Sequence, residues 1–238
     1  MTRLLERQLK LLDYLTSTGA IFPGPSGAAL PPALRGIDPE LLHLEARFSH
    51  EKRMEKIAAV FPLTFKLFGE CADTITYRFV DACPPFDIGR IENAHQFYEF
   101  LDEVWKTEAP MPRYLPDIAE CEFAYATVRG RSDAAKEGTF PKVTAQTSIR
   151  RNPNIALLRT AFDLREMFES GDVDVVPEQR VTSLAIVSYS GDVGILELAP
   201  EIYDLVAAFD EWVNVGGLLG MDELAVDLAE AGIVELRG

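Results

Sequence analysis

Arg180-Val181-Thr182-Ser183-Leu184-Ala185-Ile186-Val187-Ser188-Tyr189 is an apolar, partly β-branched run. Ser190-Gly191-Asp192 and a second run, Val193-Gly194-Ile195-Leu196-Glu197-Leu198, follow it. Two strands joined through Gly191 are expected. Pro200 stands where a helix begins. Beyond it, Ile202, Leu205, Val206, Phe209 and Val213 recur at i, i+3, i+4, i+7 and i+11, one face of a helix. Gly216 and Gly217 are expected to end that helix. Residues 221–231 form another, closed by Gly232. The order strand, strand, helix, helix is that of a small winged-helix-like module.

The charge of this module is unusual. Residues 171–238 hold 14 Asp or Glu and two basic residues, Arg180 and Arg237, a net of −12 out of −15 for the whole chain. A winged-helix module that grips DNA needs the opposite sign, because it must neutralise phosphates. A module of this charge attracts a cationic partner, and a strand edge is a receiver for an extended peptide. An acidic surface also serves plain solubility.

The 238 residues suit one large domain or two small ones, and a hydrophobic content of 47% is enough for a packed core. No apolar run approaches the ~20 residues of a membrane span. The charged start, Met1-Thr2-Arg3-Leu4-Leu5-Glu6-Arg7, lacks a secretory apolar region. Cys71, Cys83 and Cys121 are widely spaced, which fits reduced thiols in the cytoplasm.

The first part of the chain reads as all-α. Leu5, Leu9, Leu12, Tyr14 and Leu15 stripe a first helix, and a Gly- and Pro-rich loop covers residues 19–38. Pro39-Glu40 opens a second helix with Leu44, Phe48, Met54, Ile57 and Phe61 at apolar spacing, and Pro62 restarts it. Ile75 and Phe79, then Phe97, Leu101, Val104 and Trp105, mark two more, and Pro116 opens a last one to about Thr127. The expected organisation is therefore a helical domain over 1–127, a polar linker over 128–142, and an acidic α+β domain over 143–238. Within the last, 143–149 and 155–160 read as strands, 150–154 as a turn, and 162–169 as a short helix.

Catalytic motifs are sparse. His43 and His50 lie seven apart without a carboxylate to complete a metal site, and His95 stands alone. Asp172-x-Asp174 lacks the glycine and glutamate of a calcium loop, and no G-x-S-x-G, P-loop or G-x-G-x-x-G occurs. Cys121 falls mid-helix among apolar residues, where a buried inert thiol is expected. No catalytic and no metal-ligating residue is assigned. Arg150-Arg151-Asn152-Pro153 is the cationic knot nearest the acidic module. It is either a solvated turn paired with nearby carboxylates or a contact for a partner's carboxylate, through the fork geometry of arginine.

The helical part carries Arg47-Phe48-Ser49-His50-Glu51-Lys52-Arg53-Met54, Val60-Phe61-Pro62-Leu63-Thr64-Phe65-Lys66-Leu67-Phe68-Gly69, Pro84-Pro85, His95-Gln96-Phe97-Tyr98-Glu99-Phe100-Leu101 and Tyr114-Leu115-Pro116-Asp117-Ile118-Ala119-Glu120-Cys121. Together, over about residues 40–126, these resemble the partner proteins of multinuclear non-haem iron oxidases. That family includes the second subunit of the methanobactin biosynthetic oxidase and its counterpart in the thiaglutamate pathway. The resemblance implies a helical N-terminal domain and a C-terminal α+β domain similar to the precursor-recognition elements of ribosomal peptide (RiPP) pathways. It implies an adaptor, not an enzyme, that binds a precursor's leader and pairs with the iron enzyme. The iron would sit on the partner, with no cofactor on this chain. Methanobactin leaders are lysine-rich and suit an acidic receptor; the motifs do not choose between the two pathways. The family's N-terminal part also carries a DNA-binding label, which the charge opposes.

The expected function is thus leader-peptide binding for oxidative cysteine modification, in a cytoplasmic complex with an iron oxidase, without nucleic acid or membrane partners. The alternative is a winged-helix DNA-binding regulator. The expected peptide-binding residues are Val181, Leu184, Ile186, Ser188 and Tyr189 on the first strand of the acidic module, where a leader would add as a strand. Glu223, Asp227 and Glu230, at i, i+4 and i+7 of the last helix, would steer it. Arg150, Arg151, Asn152 and Pro153 are the expected partner contacts.

Overall fold

The computed structural model describes residues 2–22, 30–85, 89–131, 143–144, 146–189, 192–214 and 221–238. The chain forms two units, Met1–Pro110 and Met111–Gly238. The first is helical and the second mixes helices with small antiparallel sheets, so the architecture is α+β, as expected.

In the first unit, α1 (Thr2–Leu15) and the single turn α2 (Thr18–Ile21) precede α3 (Pro39–Ala58). Asp38 caps α3 by accepting the Glu40 N–H at 2.9 Å, and Pro39 takes the first-turn position where no donor is needed. Pro62 does the same for α4 (Pro62–Phe68). α5 (Ala72–Ala82) and α6 (Arg90–Thr107) complete the unit. Its centre is aromatic: Phe79 meets Phe97 edge-on at 5.0 Å, and Phe61 and Phe65 approach the same ring at 5.6 and 5.5 Å.

The helix that the periodicity assigns to the first domain belongs to the second unit. α7 (Leu115–Arg131) packs on the sheet that follows it. The unit boundary therefore falls after Pro110, ahead of the expected linker. Of that linker, Val128–Arg131 are the last turn of α7, and 132–142 lie outside the described residues. Tyr114-Leu115-Pro116-Asp117 explains the docking. The Asp117 carboxylate accepts the backbone N–H groups of Ala161 and Phe162 at 2.7 and 3.2 Å, and the Tyr114 ring meets Phe162 edge-on.

After α7 come β1 (Ser148–Arg151), β2 (Ala156–Thr160), α8 (Arg165–Ser170), β3 (Thr182–Tyr189), β4 (Asp192–Leu198), α9 (Pro200–Ala207), β5 (Val213–Asn214), α10 (Met221–Glu230) and β6 (Val234–Arg237). The strands make two antiparallel sheets, β2-β3-β4 and β5-β1-β6. Tyr189 pairs with Asp192, so β3 and β4 form the expected hairpin; its turn, Ser190-Gly191, lies outside the described residues. Ile149, Ala185, Val187, Val206, Phe209, Ala225, Leu228 and Val234 share one core, which joins both sheets to α9 and α10.

Two local expectations change. α9 stops at Ala207, Phe209 is buried beyond its end, and Val213 is an exposed residue of β5 rather than a fourth turn of helix. Its pairing with Ile149 supplies hydrogen bonds that a helix pattern does not foresee. The expected stop at Gly216-Gly217 lies outside the described residues. Arg150 and Arg151, read as a turn, are the second half of β1, and only 152–154 turn.

Candidate peptide-binding surface

β3 is the central strand of its sheet. Residues 182–186 pair with β2 and 183–189 with β4. Side chains alternate across a strand. Ala185 and Val187 face the core shared with α9 and α10, so Leu184 and Ile186 face the opposite side, where α7 packs. Leu184 is 1% and Ile186 0% exposed. A strand covered on both faces reads as a continuous apolar run, which is what 181–189 shows. The expectation that a peptide adds beside this strand is therefore corrected: Leu184 and Ile186 are core side chains, and both edges of the strand are taken over most of its length. Val181 lies just outside the strand and is exposed. The Ser188 backbone is paired with Val193, and its carbonyl lies 3.6 Å from where a Cβ on Gly232 would stand.

Unpaired edges belong to other strands. β2 and β4 flank their sheet, and β5 and β6 flank theirs. On β4 the Val193 carbonyl is already taken: the Tyr125 hydroxyl of α7 donates to it at 3.2 Å. β6 follows α10 through Ala231 to Ile233 and packs against it. Among the described residues no strand covers the outer edge of β6.

Glu223, Asp227 and Glu230 are all exposed on α10, as their spacing requires, because Ala225, Leu228 and Ala229 take the inner face. Among the described residues none of the three is ion-paired. Arg159, Arg165 and Arg180 pair with carboxylates of the same unit. Arg165 and Arg180 close a ring with Asp163 and Glu197, through contacts of 2.8 and 2.6 Å from Arg165 and 2.5 and 2.6 Å from Arg180. Hydrogen bonds from Arg165, with Arg180 adding, hold the Asp163 carboxyl well below the usual carboxylate range; Arg180 leads in holding Glu197 low. Arg159 pairs with Asp204 at 2.8 Å.

The cationic knot is folded into the same pattern. Arg150 bonds Glu235 at 2.5 Å across the β1–β6 pair, and Arg151 pairs with Asp210. The Arg150 guanidinium also lies 4.8 Å from the Trp212 ring centre, and Arg237 covers the same ring at 4.6 Å. Asn152 donates from Nδ2 to the Gly232 carbonyl at 2.9 Å, and accepts the Asn154 N–H with Oδ1 at the same distance. Pro153 is exposed in the turn. Arg150 and Arg151 thus each pair with a carboxylate of their own unit, from a strand rather than from a turn. Asp210 and Glu235 were not foreseen, because their arginine partners are 59 and 85 residues away in sequence.

The histidines do not converge. His43 Nδ1 meets the Ala20 carbonyl, Phe22 packs edge-on against His50 at 5.2 Å, and His95 stands 3.6 Å from Glu99. Among the described residues no three or more His, Cys, Asp or Glu side chains are grouped to hold a metal ion. Cys121 is buried, and desolvation pushes its thiol up to about 12. No described helix is long and apolar enough to cross a membrane. No family model matches the chain, and no curated protein matches it.

Proposed function

We propose that the protein is a non-catalytic adaptor that binds the basic leader of a ribosomally made precursor peptide and presents it to a multinuclear non-haem iron oxidase on a companion chain. The observation that carries the reading is an edge strand beside an acidic helix: β6 flanks its sheet and packs against α10, which exposes Glu223, Asp227 and Glu230, none of them ion-paired among the described residues. Main-chain hydrogen bonds along β6 would supply affinity, and the α10 carboxylates would select lysine and arginine side chains. This moves the added strand from β3 to β6 and keeps the acidic helix in its expected role. The motifs of residues 40–126 support the choice of companion. Catalysis by the pair is then proximity, with the reacting residue held at the other chain's iron.

Titration calorimetry of the full chain with a lysine-rich leader peptide, with and without the iron enzyme, tests this. Saturable binding that weakens with salt is expected, while a glutamate-substituted peptide and duplex DNA give none. Absence of heat from the lysine-rich peptide under both conditions overturns it.

A further inference from the structure

Arg53 is 8% exposed, yet among the described residues no carboxylate pairs with its charge. Its Nε donates to Asn93 Oδ1 at 2.9 Å, one terminal nitrogen to the Cys83 carbonyl at 2.9 Å, and the other to Gln96 Oε1 at 2.6 Å. The guanidinium lies over the Phe79 ring at 4.4 Å. Every one of these partners is neutral. A guanidinium has five N–H donors, so one remains on each terminal nitrogen. Burial lowers its pKa to about 10, so it stays charged at neutral pH. A buried, uncompensated cation is costly and is ordinarily matched by a carboxylate or phosphate.

Arg53 lines a cavity of about 460 Å³ in the first unit, a size that suits a small ligand. The apolar wall comes from Leu12 and Leu15 of α1, Ile21 of α2 and Val80 of α5. Lys52 and Lys56 flank Arg53 on α3, and no Asp or Glu is among the described lining residues, in a chain with 38 acidic against 23 basic residues. His50 at the same wall is held below its usual pKa by burial and then by Arg53. The wall is aliphatic rather than aromatic, and the charged end is positive.

We propose that this cavity binds a small aliphatic carboxylate, its chain against Leu12, Leu15, Ile21 and Val80 and its carboxylate toward Arg53. The two remaining guanidinium donors fit the two oxygens of one carboxylate. The lining residues all belong to the helical unit.

Sodium octanoate is the probe, titrated into the full chain by calorimetry, with 1-octanol and octylammonium as controls. Saturable octanoate binding is expected, about tenfold or more tighter than octanol, with no binding of the cation. R53M should lose the preference for octanoate over octanol. Because Arg53 also ties α3 to α6, two further variants keep the test independent of folding. K52E alters an exposed side chain, and L12D places an anion on a side chain that is 55% exposed. Both should melt like the parent and bind octanoate about tenfold more weakly. Equal binding of octanoate and octanol, no saturable octanoate binding, or parent-like affinity in both folded variants overturns the proposal.

Discussion

The Asp117 carboxylate accepts the Ala161 N–H at 2.7 Å, across 44 residues of sequence. It bonds Phe162 as well, so one side chain at the start of α7 fixes the chain where it leaves β2. Removing it leaves two backbone donors without their acceptor. D117A should destabilise the second unit by about 1–3 kcal/mol. D117N, which keeps an oxygen acceptor, should cost less. Urea midpoints of the two variants check the order, and equal losses would remove the hydrogen bonds from the explanation.

The ring of Asp163, Glu197, Arg165 and Arg180 predicts an acid response. Both carboxyls have lowered pKa values when folded, so the folded state binds their protons more weakly than the unfolded chain does. Their contribution is present above the unfolded carboxylate value of about 4 and is lost as pH falls through the folded values. The parent should therefore lose more thermal stability than a D163N/E197Q variant between about pH 6 and pH 3. Added salt at neutral pH should narrow the gap, because the arginines reach solvent. Parallel pH curves for the two proteins would contradict this.

Leu184 separates core from contact residue. Its side chain is 1% exposed between α7 and the sheet, so L184A should lower stability by about 2–5 kcal/mol. If the variant remains folded at low temperature, its affinity for a lysine-rich peptide should match the parent's. A folded L184A that fails to bind peptide would return β3 to the binding surface.

The α10 face predicts the reverse pattern. Glu223, Asp227 and Glu230 are exposed and, among the described residues, not ion-paired, so the triple change to lysine should shift stability by no more than about 0.5 kcal/mol in either direction per site. Binding of a basic leader should weaken by about tenfold or more, which is about 1.4 kcal/mol. Its dependence on salt should flatten in the same measurement.

The strands and helices that local pattern governs were legible in the sequence. The β3–β4 hairpin follows from two apolar runs about a Ser-Gly-Asp turn, and α10 follows from its spacing and Gly232, whose φ of +73° suits glycine. The status of β3 was not legible. An apolar run looks the same whether a strand is an open edge or is enclosed by β2, β4 and α7, and only pairing across more than twenty residues decides it. The same limit explains α7: periodicity shows that a helix has a buried face and is silent on which unit buries it. The acidic face of α10 was found from i, i+4 and i+7 spacing alone. The Arg53 cavity was not, because its walls come from five helices and the stretches beside them, and no local pattern brings those residues together.

β1 pairs with β6 in the register Ser148 to Arg237, and its other neighbour, β5, is two residues long. During translation, then, β1 emerges from the ribosome well before the strand that stabilises it. At about 5–20 residues per second, the delay over those roughly 90 residues is on the order of 4 to 20 seconds. Through that interval a nascent Ile149 remains wet and open to chaperones, and the second unit is sealed only when its last strand arrives.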